Sequence, residues 1–223
     1  SFAGQFIKGG SSVHIGYETG QYASGSSNTF VGQRAGKGGT TSAPYSTGTN
    51  NVAVGLSALA AFTTGYSNTA IGKGAGDAIN TGYNNTIMGE SAGTSLTTGF
   101  GNVIIGRVAA YASTDVDKAV IIGEQAGYTG NMTSDADGTV SIGSGAGKNI
   151  TSGIGNVSVG FGALTTEDTG DYNTAIGYQA LANQNRDGTV NNTAVGYQAL
   201  VAFTTGGQNV AIGRQAGIAI TSG

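Results

Sequence analysis

"NTAIGYQAL" (residues 173–181) returns nineteen residues later as "NTAVGYQAL" (192–200). A chain that writes nearly the same nine residues twice, a short step apart, is built from one unit stacked repeatedly. Tracing the aliphatic-Gly pair outward from these two copies gives anchor glycines at Gly16, Gly32, Gly55, Gly72, Gly89, Gly106, Gly123, Gly143, Gly160, Gly177, Gly196 and Gly213. Their separations are 16, 23, 17, 17, 17, 17, 20, 17, 17, 19 and 17 residues. The unit is therefore 17 residues long and occurs twelve times, with three longer steps.

Each position of the unit has its own chemistry. The residue before the glycine is Ile, Val or Met throughout. Three before it stands Thr or Val, always β-branched. Four before it is Asn in nine units, Asn68, Asn85, Asn102 and Asn173 among them. Three after it is Ala in all units but the first, and seven before it is usually Gly, as in "TTG". A β-branched residue, then a small one, then an aliphatic one reads as a short strand. The glycine that follows, as at Gly72, Gly89, Gly106 and Gly177, permits a sharp bend or a close backbone approach. Thr-Gly with Asn nearby reads as a second turn. Seventeen residues with two turns are too few for strand, helix and strand. They suit one coil of an all-β solenoid or β-roll. Adjacent coils about 4.8 Å apart make a rod about 58 Å long. The Asn column is expected to form a ladder of side-chain amides from coil to coil. Residues 1–11 read as a lead-in and 12–223 as a single array, which stops in mid-unit at "ITSG". That ending predicts a longer fibre, or stacking that continues into another subunit.

Composition narrows the function classes. Of 223 residues, 42 are Gly, 1 is Pro and none is Cys; 9% are charged and the net charge is -3. Collagen is excluded by the missing three-residue period. The weak negative charge gives no basic surface for nucleic acid. No apolar run approaches the roughly 18 residues of a membrane span. Without Cys there are no disulfides or thiolate metal sites.

The position two before the glycine lies on the opposite strand face from the aliphatic column. It reads His14, Phe30, Ala53, Ala70, Ile87, Ile104, Ile121, Ser141, Ser158, Ala175, Ala194 and Ala211, with no charge anywhere. A strand without charge on either face is buried on both. One face packs inside its own coil, and identical chains in parallel cover the other. The small residues of the second face let backbones approach, so a homotrimer along the rod axis is expected. The competing reading is a flattened coil that buries both faces within one chain.

The unit "NTAIGxxA" followed by "xxxTTGxx" resembles the repeats of YadA-like heads in trimeric autotransporter adhesins. It resembles still more closely the repeats of phage tail fibres and related bacterial fibre proteins. Residues 173–181 and 192–200 carry the closest match, and the resemblance spans residues 12–223. It implies a parallel trimeric β-roll displayed outside a cell or on a virion surface, although the 17-residue period is longer than the coil of YadA-like heads. A structural fibre segment, a shaft or head, is the function this implies.

Material for catalysis is sparse, and no enzyme is expected. His14 is the only histidine, and a triad would have to use it; it reads as a capping or interface residue. "GKGAG" (72–76) lacks the Gly-Lys-Ser/Thr ending of a phosphate loop. Glu167 with Asp168 is the nearest acidic pair and reads as a solvated turn. "TDVDKAVIIG" (114–123) and "SDADGTVSIG" (134–143) align on their glycines, which stacks Asp115 over Asp135 and Asp117 over Asp137. Four carboxylates within one coil step make Ca²⁺ the one candidate cofactor, against loops that splay into water. The inserted loops 37–47, 128–137 and 182–191 are where recognition would be grafted onto a rigid rod. Tyr45, Tyr128 and Arg186 are the candidate contacts to a host-surface glycan or receptor. An ice-binding solenoid is a further alternative, which would require a flat exposed Thr array.

Overall fold

The structure is a computed structural model, described for residues 10–42 and 45–223. Most of the lead-in 1–11, and Ala43 and Pro44 of the first inserted loop, lie outside the described residues.

Each repeat contributes one three-residue strand. The strands are Val13–Ile15, Thr29–Val31, Val52–Val54, Thr69–Ile71, Thr86–Met88, Val103–Ile105, Val120–Ile122, Val140–Ile142, Val157–Val159, Thr174–Ile176, Thr193–Val195 and Val210–Ile212. They form a single twelve-stranded parallel sheet in sequential order, each strand pairing with its neighbours in the register set by the anchor glycines. The chain is thus a parallel β-solenoid of twelve coils. A second, two-stranded sheet pairs Gly170–Asp171 with Gly188–Thr189. The remaining circumference consists of turns, yet these also bond to the next coil. Leu59 donates to the Ala75 carbonyl at 3.0 Å, Ala61 to Asp77 at 3.0 Å and Thr63 to Asn80 at 2.8 Å. Main-chain groups are therefore satisfied along the axis on every side of the coil.

The anchor glycine column explains itself. Gly106 has φ +135°, a conformation closed to side chains. A Cβ there would lie 2.5 Å from the carbonyl oxygen of Gly123 in the next coil. Other tight corners are not glycine. Leu59, Leu164, Leu181 and Leu200, four residues after their anchors, adopt φ near +50°. The repeat holds them in a left-handed conformation that costs on the order of 1 kcal/mol each.

The expected strand orientation is reversed. The column two before the glycine, assigned above to an interchain face, points into the coil. Phe30, Ala53, Ala70, Ile87, Ile104, Ile121, Ser141, Ser158, Ala175 and Ala194 are buried there. Alternation then sends the β-branched and aliphatic columns outward. The physical reason is volume. The same interior must hold the Ala column three after the glycine, the Asn column and the bulky residues Phe62, Ile79, Leu96, Ile150 and Phe203 seven after it.

The coil regulates that volume by exchange. Where the inward strand residue is Ile87, Ile104 or Ile121, the corner four after the glycine is Gly93, Ala110 or Gly127. Where it is Ala53, Ser158, Ala175 or Ala194, the corner is Leu59, Leu164, Leu181 or Leu200. Phe30 is matched by Gly36, at which a Cβ would fall 2.4 Å from the Phe30 ring. In these coils the bulk is kept while its source moves between the two positions; the coils of Ala70 with Gly76, Ser141 with Gly147 and Ala211 with Gly217 are small at both.

Candidate functional site

The outward sheet face runs the length of the described array. Twelve Thr or Val residues and twelve Ile, Val or Met residues stand on it in two parallel columns, without one charged side chain. Exposure is greatest at the ends, with Val210 and Ile212 at 72% and 71%, and Met88 and Ile176 are also exposed.

Two columns border this strip. Directly after the anchor glycines, Lys73 Nζ pairs with Glu90 at 3.1 Å and Arg107 pairs with Glu124. Farther along, the same column becomes aromatic. Phe161, Tyr178 and Tyr197 stack with ring centroids 5.3 and 5.2 Å apart, and Arg214 sits 5.7 Å from the Tyr197 ring. Across the strip, Tyr66, Tyr83 and Phe100 stack at 4.9 and 4.8 Å, with Lys118 Nζ 5.5 Å from the Phe100 ring. Axial stacking at one coil step is the aromatic counterpart of the backbone ladder.

The Asn column forms a continuous amide ladder over five coils. Asn85 Nδ2 donates to Asn68 Oδ1 at 3.0 Å and to the Gly99 carbonyl at 2.8 Å, while Asn68 Oδ1 also accepts the Asn85 main-chain N–H at 3.1 Å. Asn102 repeats this against Asn85 and the Val116 carbonyl. Ala119 and Thr139 interrupt the ladder, which resumes at Asn156. Asn173 Oδ1 accepts from Asn192 at 3.2 Å and from Gln184 Nε2 at 3.1 Å, but Asn173 Nδ2 has no partner. The inserted loop 182–191 occupies the place where other coils present a turn carbonyl.

The four stacked aspartates divide. Asp117 Oδ1 accepts the Phe100 main-chain N–H at 2.8 Å, and Asp137 Oδ1 accepts that of Asp117 at 2.9 Å. Asp115 accepts from Thr114 Oγ1 at 3.2 Å, and Asp135 lies in a short 3₁₀ turn, Ser134–Ala136. Burial raises the Asp117 carboxyl; the Phe100 N–H and Lys118 oppose this, and the charges of Asp137 and Asp115 add to it. Among the described residues no group of three or more His, Cys, Asp or Glu side chains is arranged to hold a metal ion. The carboxylates of Asp117 and Asp137 instead tie one coil to the next.

Tyr45, Tyr128 and Arg186 do not converge. Tyr45 stacks on Tyr22 at 6.3 Å. Tyr128 tilts against Tyr111 at 5.6 Å, with Lys148 Nζ 5.8 Å from its ring. Arg186 lines a hollow of about 300 Å³ with Thr189, Gly207, Gln208 and Gly223. Beside the 128–137 loop runs a polar trough of about 360 Å³ that includes Thr129, Asn149, Thr151 and Asp168. Its hydroxyls are already engaged; Thr151 Oγ1, for example, donates to the Asp168 carbonyl at 3.0 Å.

His14 faces inward and stacks on Phe30 at 5.0 Å, and burial lowers its pKa. Glu167 corrects the sequence reading. It is fully buried, not part of a solvated turn. Its Oε1 accepts the main-chain N–H groups of Gly170 at 2.8 Å and Asp168 at 3.1 Å, and its Oε2 accepts Gln184 Nε2 at 2.9 Å. Burial raises its pKa, and the main-chain donors of Gly170, Arg186 and Asp168 oppose that rise. The signal was available: Glu167 and Gln184 fall seven after their anchors, in the column that elsewhere holds Phe62, Ile79 and Leu96.

Among the described residues no helix is long and apolar enough to cross a membrane. Compared with protein-family models, with curated proteins and with solved structures, the chain matches none.

Proposed function

We propose that the chain is a structural segment of an extracellular or virion-surface fibre, a rigid shaft or head in which copies of the chain associate side by side in parallel. The homotrimer is the simplest such assembly, as the fibre-like repeats imply. One observation carries this reading. The outward strip stays uncharged over all twelve strands, while the column one residue beyond the anchor glycines alternates Lys73, Glu90, Arg107 and Glu124. A surface meant for water would have taken charge at some of twenty-four positions; an uncharged, mostly aliphatic strip of this length favours an interface. A second copy supplies the same strip at the same pitch, so columns match columns along the whole rod. Coil-to-coil bonding then provides stiffness, and side-by-side burial provides cohesion.

The test is light scattering on the chain and on Ile105→Glu/Ile122→Glu. The expected result is a multimer, three chains in the simplest case, for the parent and a folded monomer for the double variant. A parent that is monomeric at tens of micromolar overturns the reading.

The outward position of the Thr/Val column also favours a second reading, an ice-binding face. Against it, five of the twelve residues are Thr and seven are Val, and the neighbouring column is wholly aliphatic apart from Met88. Thermal hysteresis of the double variant against the parent separates the two readings.

A further inference from the structure

The position two after each anchor glycine adopts the left-handed conformation along the array. Gln125 has φ +58°, Gln179 +53°, Gln198 +51° and Gln215 +56°, so this corner does not require glycine. From Gln179 onward the amides form their own ladder, with Gln198 Nε2 donating to Gln179 Oε1 at 3.1 Å. Between Gln125 and Gln179, however, two consecutive coils carry Gly145 and Gly162. A Cβ placed on Gly145 meets nothing within 4 Å. The missing side chains leave a trough of about 270 Å³, floored by the two glycines and walled by Phe161, Lys148 and Thr165. Its two ends are the amides of Gln125 and Gln179.

Phe161 is what gives the trough a chemical preference. It is 54% exposed and terminates the Phe161–Tyr178–Tyr197 stack. The next place in that column is Ser144, too small to continue it. An aromatic face is therefore left open over a gap one coil step high, about 4.8 Å, which is the thickness of a pyranose ring. The apolar C–H face of a sugar ring packs on such a surface, while side-chain amides bridge neighbouring hydroxyls. Lys148 is the one formally charged residue lining the trough, and it makes no ion pair among the described residues.

We propose that this trough binds an acidic saccharide. One pyranose ring stacks on the open face of Phe161 with a hydroxyl toward Gln125, its carboxylate meets Lys148 Nζ, and the saccharide continues along the trough toward Gln179. The site is distinct from the inserted loops and from the apolar strip, so it does not depend on the self-association proposed above.

The test is an array of uronate- and sialate-bearing oligosaccharides and their neutral counterparts, probed with the full chain. Parallel light scattering and thermal melts report assembly and folding. The parent is expected to retain acidic glycans in preference to neutral ones. Gly145→Gln places a side chain that this corner accommodates elsewhere into the open floor; it should melt as the parent does and lose binding. Phe161→Ala should weaken binding at least about tenfold, and Lys148→Gln should erase the preference for acidic over neutral glycans. Absence of binding to every array glycan, equal retention of neutral and acidic ones by the parent, or an unchanged profile for Gly145→Gln overturns the proposal.

Discussion

Two stretches of the solenoid run the same backbone on different contents. Between Gly72 and Gly123 the spacing is a strict 17 residues, the inward strand residues are Ile87, Ile104 and Ile121, and the column seven after the anchor begins with Ile79 and Leu96. Between Gly143 and Gly196 the inward strand residues shrink to Ser158, Ala175 and Ala194. The column seven after the anchor turns polar, with Glu167 and Gln184 buried side by side. Both stretches keep the sheet register. The first coheres by apolar filling and a regular amide ladder. The second coheres by a hydrogen-bonded cluster that links Glu167, Gln184, Asn173 and Asn192 and leaves only Asn173 Nδ2 among them unpaired. The coil thus specifies that buried groups be matched, in volume or in hydrogen bonds, and is indifferent to which means achieves it.

The strongest way to break this equivalence attacks what both stretches share. Gly106→Ala forces a Cβ against the Gly123 carbonyl at a φ that favours glycine. A loss of about 3–5 kcal/mol is expected in urea unfolding. The corresponding change at Gly177, where the Cβ would lie 2.3 Å from the Gly196 carbonyl, should cost about as much. Next comes the ladder. Asn85→Ala removes two donors and one shared acceptor from a buried column, leaving the Gly99 carbonyl and Asn102 amides short of partners. About 2–4 kcal/mol is expected by the same measurement.

The polar stretch carries a pH signature centred on one buried carboxyl within its hydrogen-bonded cluster. Burial raises Glu167 above its ordinary value of 4.5. Between that value and the higher folded one, the folded chain holds more protons than the unfolded chain, so stability falls as pH rises. The contribution of Glu167 is complete below about 4.5 and is lost as pH climbs through the folded value. Asp77 and Asp117, also raised by burial, act in the same direction. The difference between parent and Glu167→Gln therefore isolates one group. The variant should show a flatter decline in melting temperature from pH 4 toward neutrality. A parallel pair of curves would mean that Glu167 titrates alike in the folded and unfolded chain. The smallest effect belongs to the surface of the regular stretch. Lys73 and Glu90 are both more than half exposed, and Lys73→Ala should change stability by less than about 0.5 kcal/mol.

The solenoid itself was legible because the anchor glycine, the β-branched residue and the Asn recur at fixed offsets. Only stacking makes a common offset useful: Asn85 needs Asn68 beneath it and Gly99 above. The polar cluster was less legible. Asp168 is a neighbour in sequence and drew Glu167 into a turn reading, while Gln184, its actual partner, lies one coil away. The paired aspartates were placed in common columns by alignment alone. Which N–H groups their oxygens would accept depended on the turn geometry between Phe100 and Asp137.

By itself, the order of residues determined the period, the number of coils, the parallel register and the columns, since each is a repetition of local chemistry along one axis. The tertiary structure decided which side of the strand faces inward. Both strand faces are uncharged, so hydropathy does not distinguish them. The choice falls to cross-section: the interior already holds the Ala column, most of an Asn column and, in coils such as those of Phe62, Ile79 and Leu96, a bulky residue. What space remains admits the residue two before the glycine and turns the Thr/Val and Ile/Val columns to the outside.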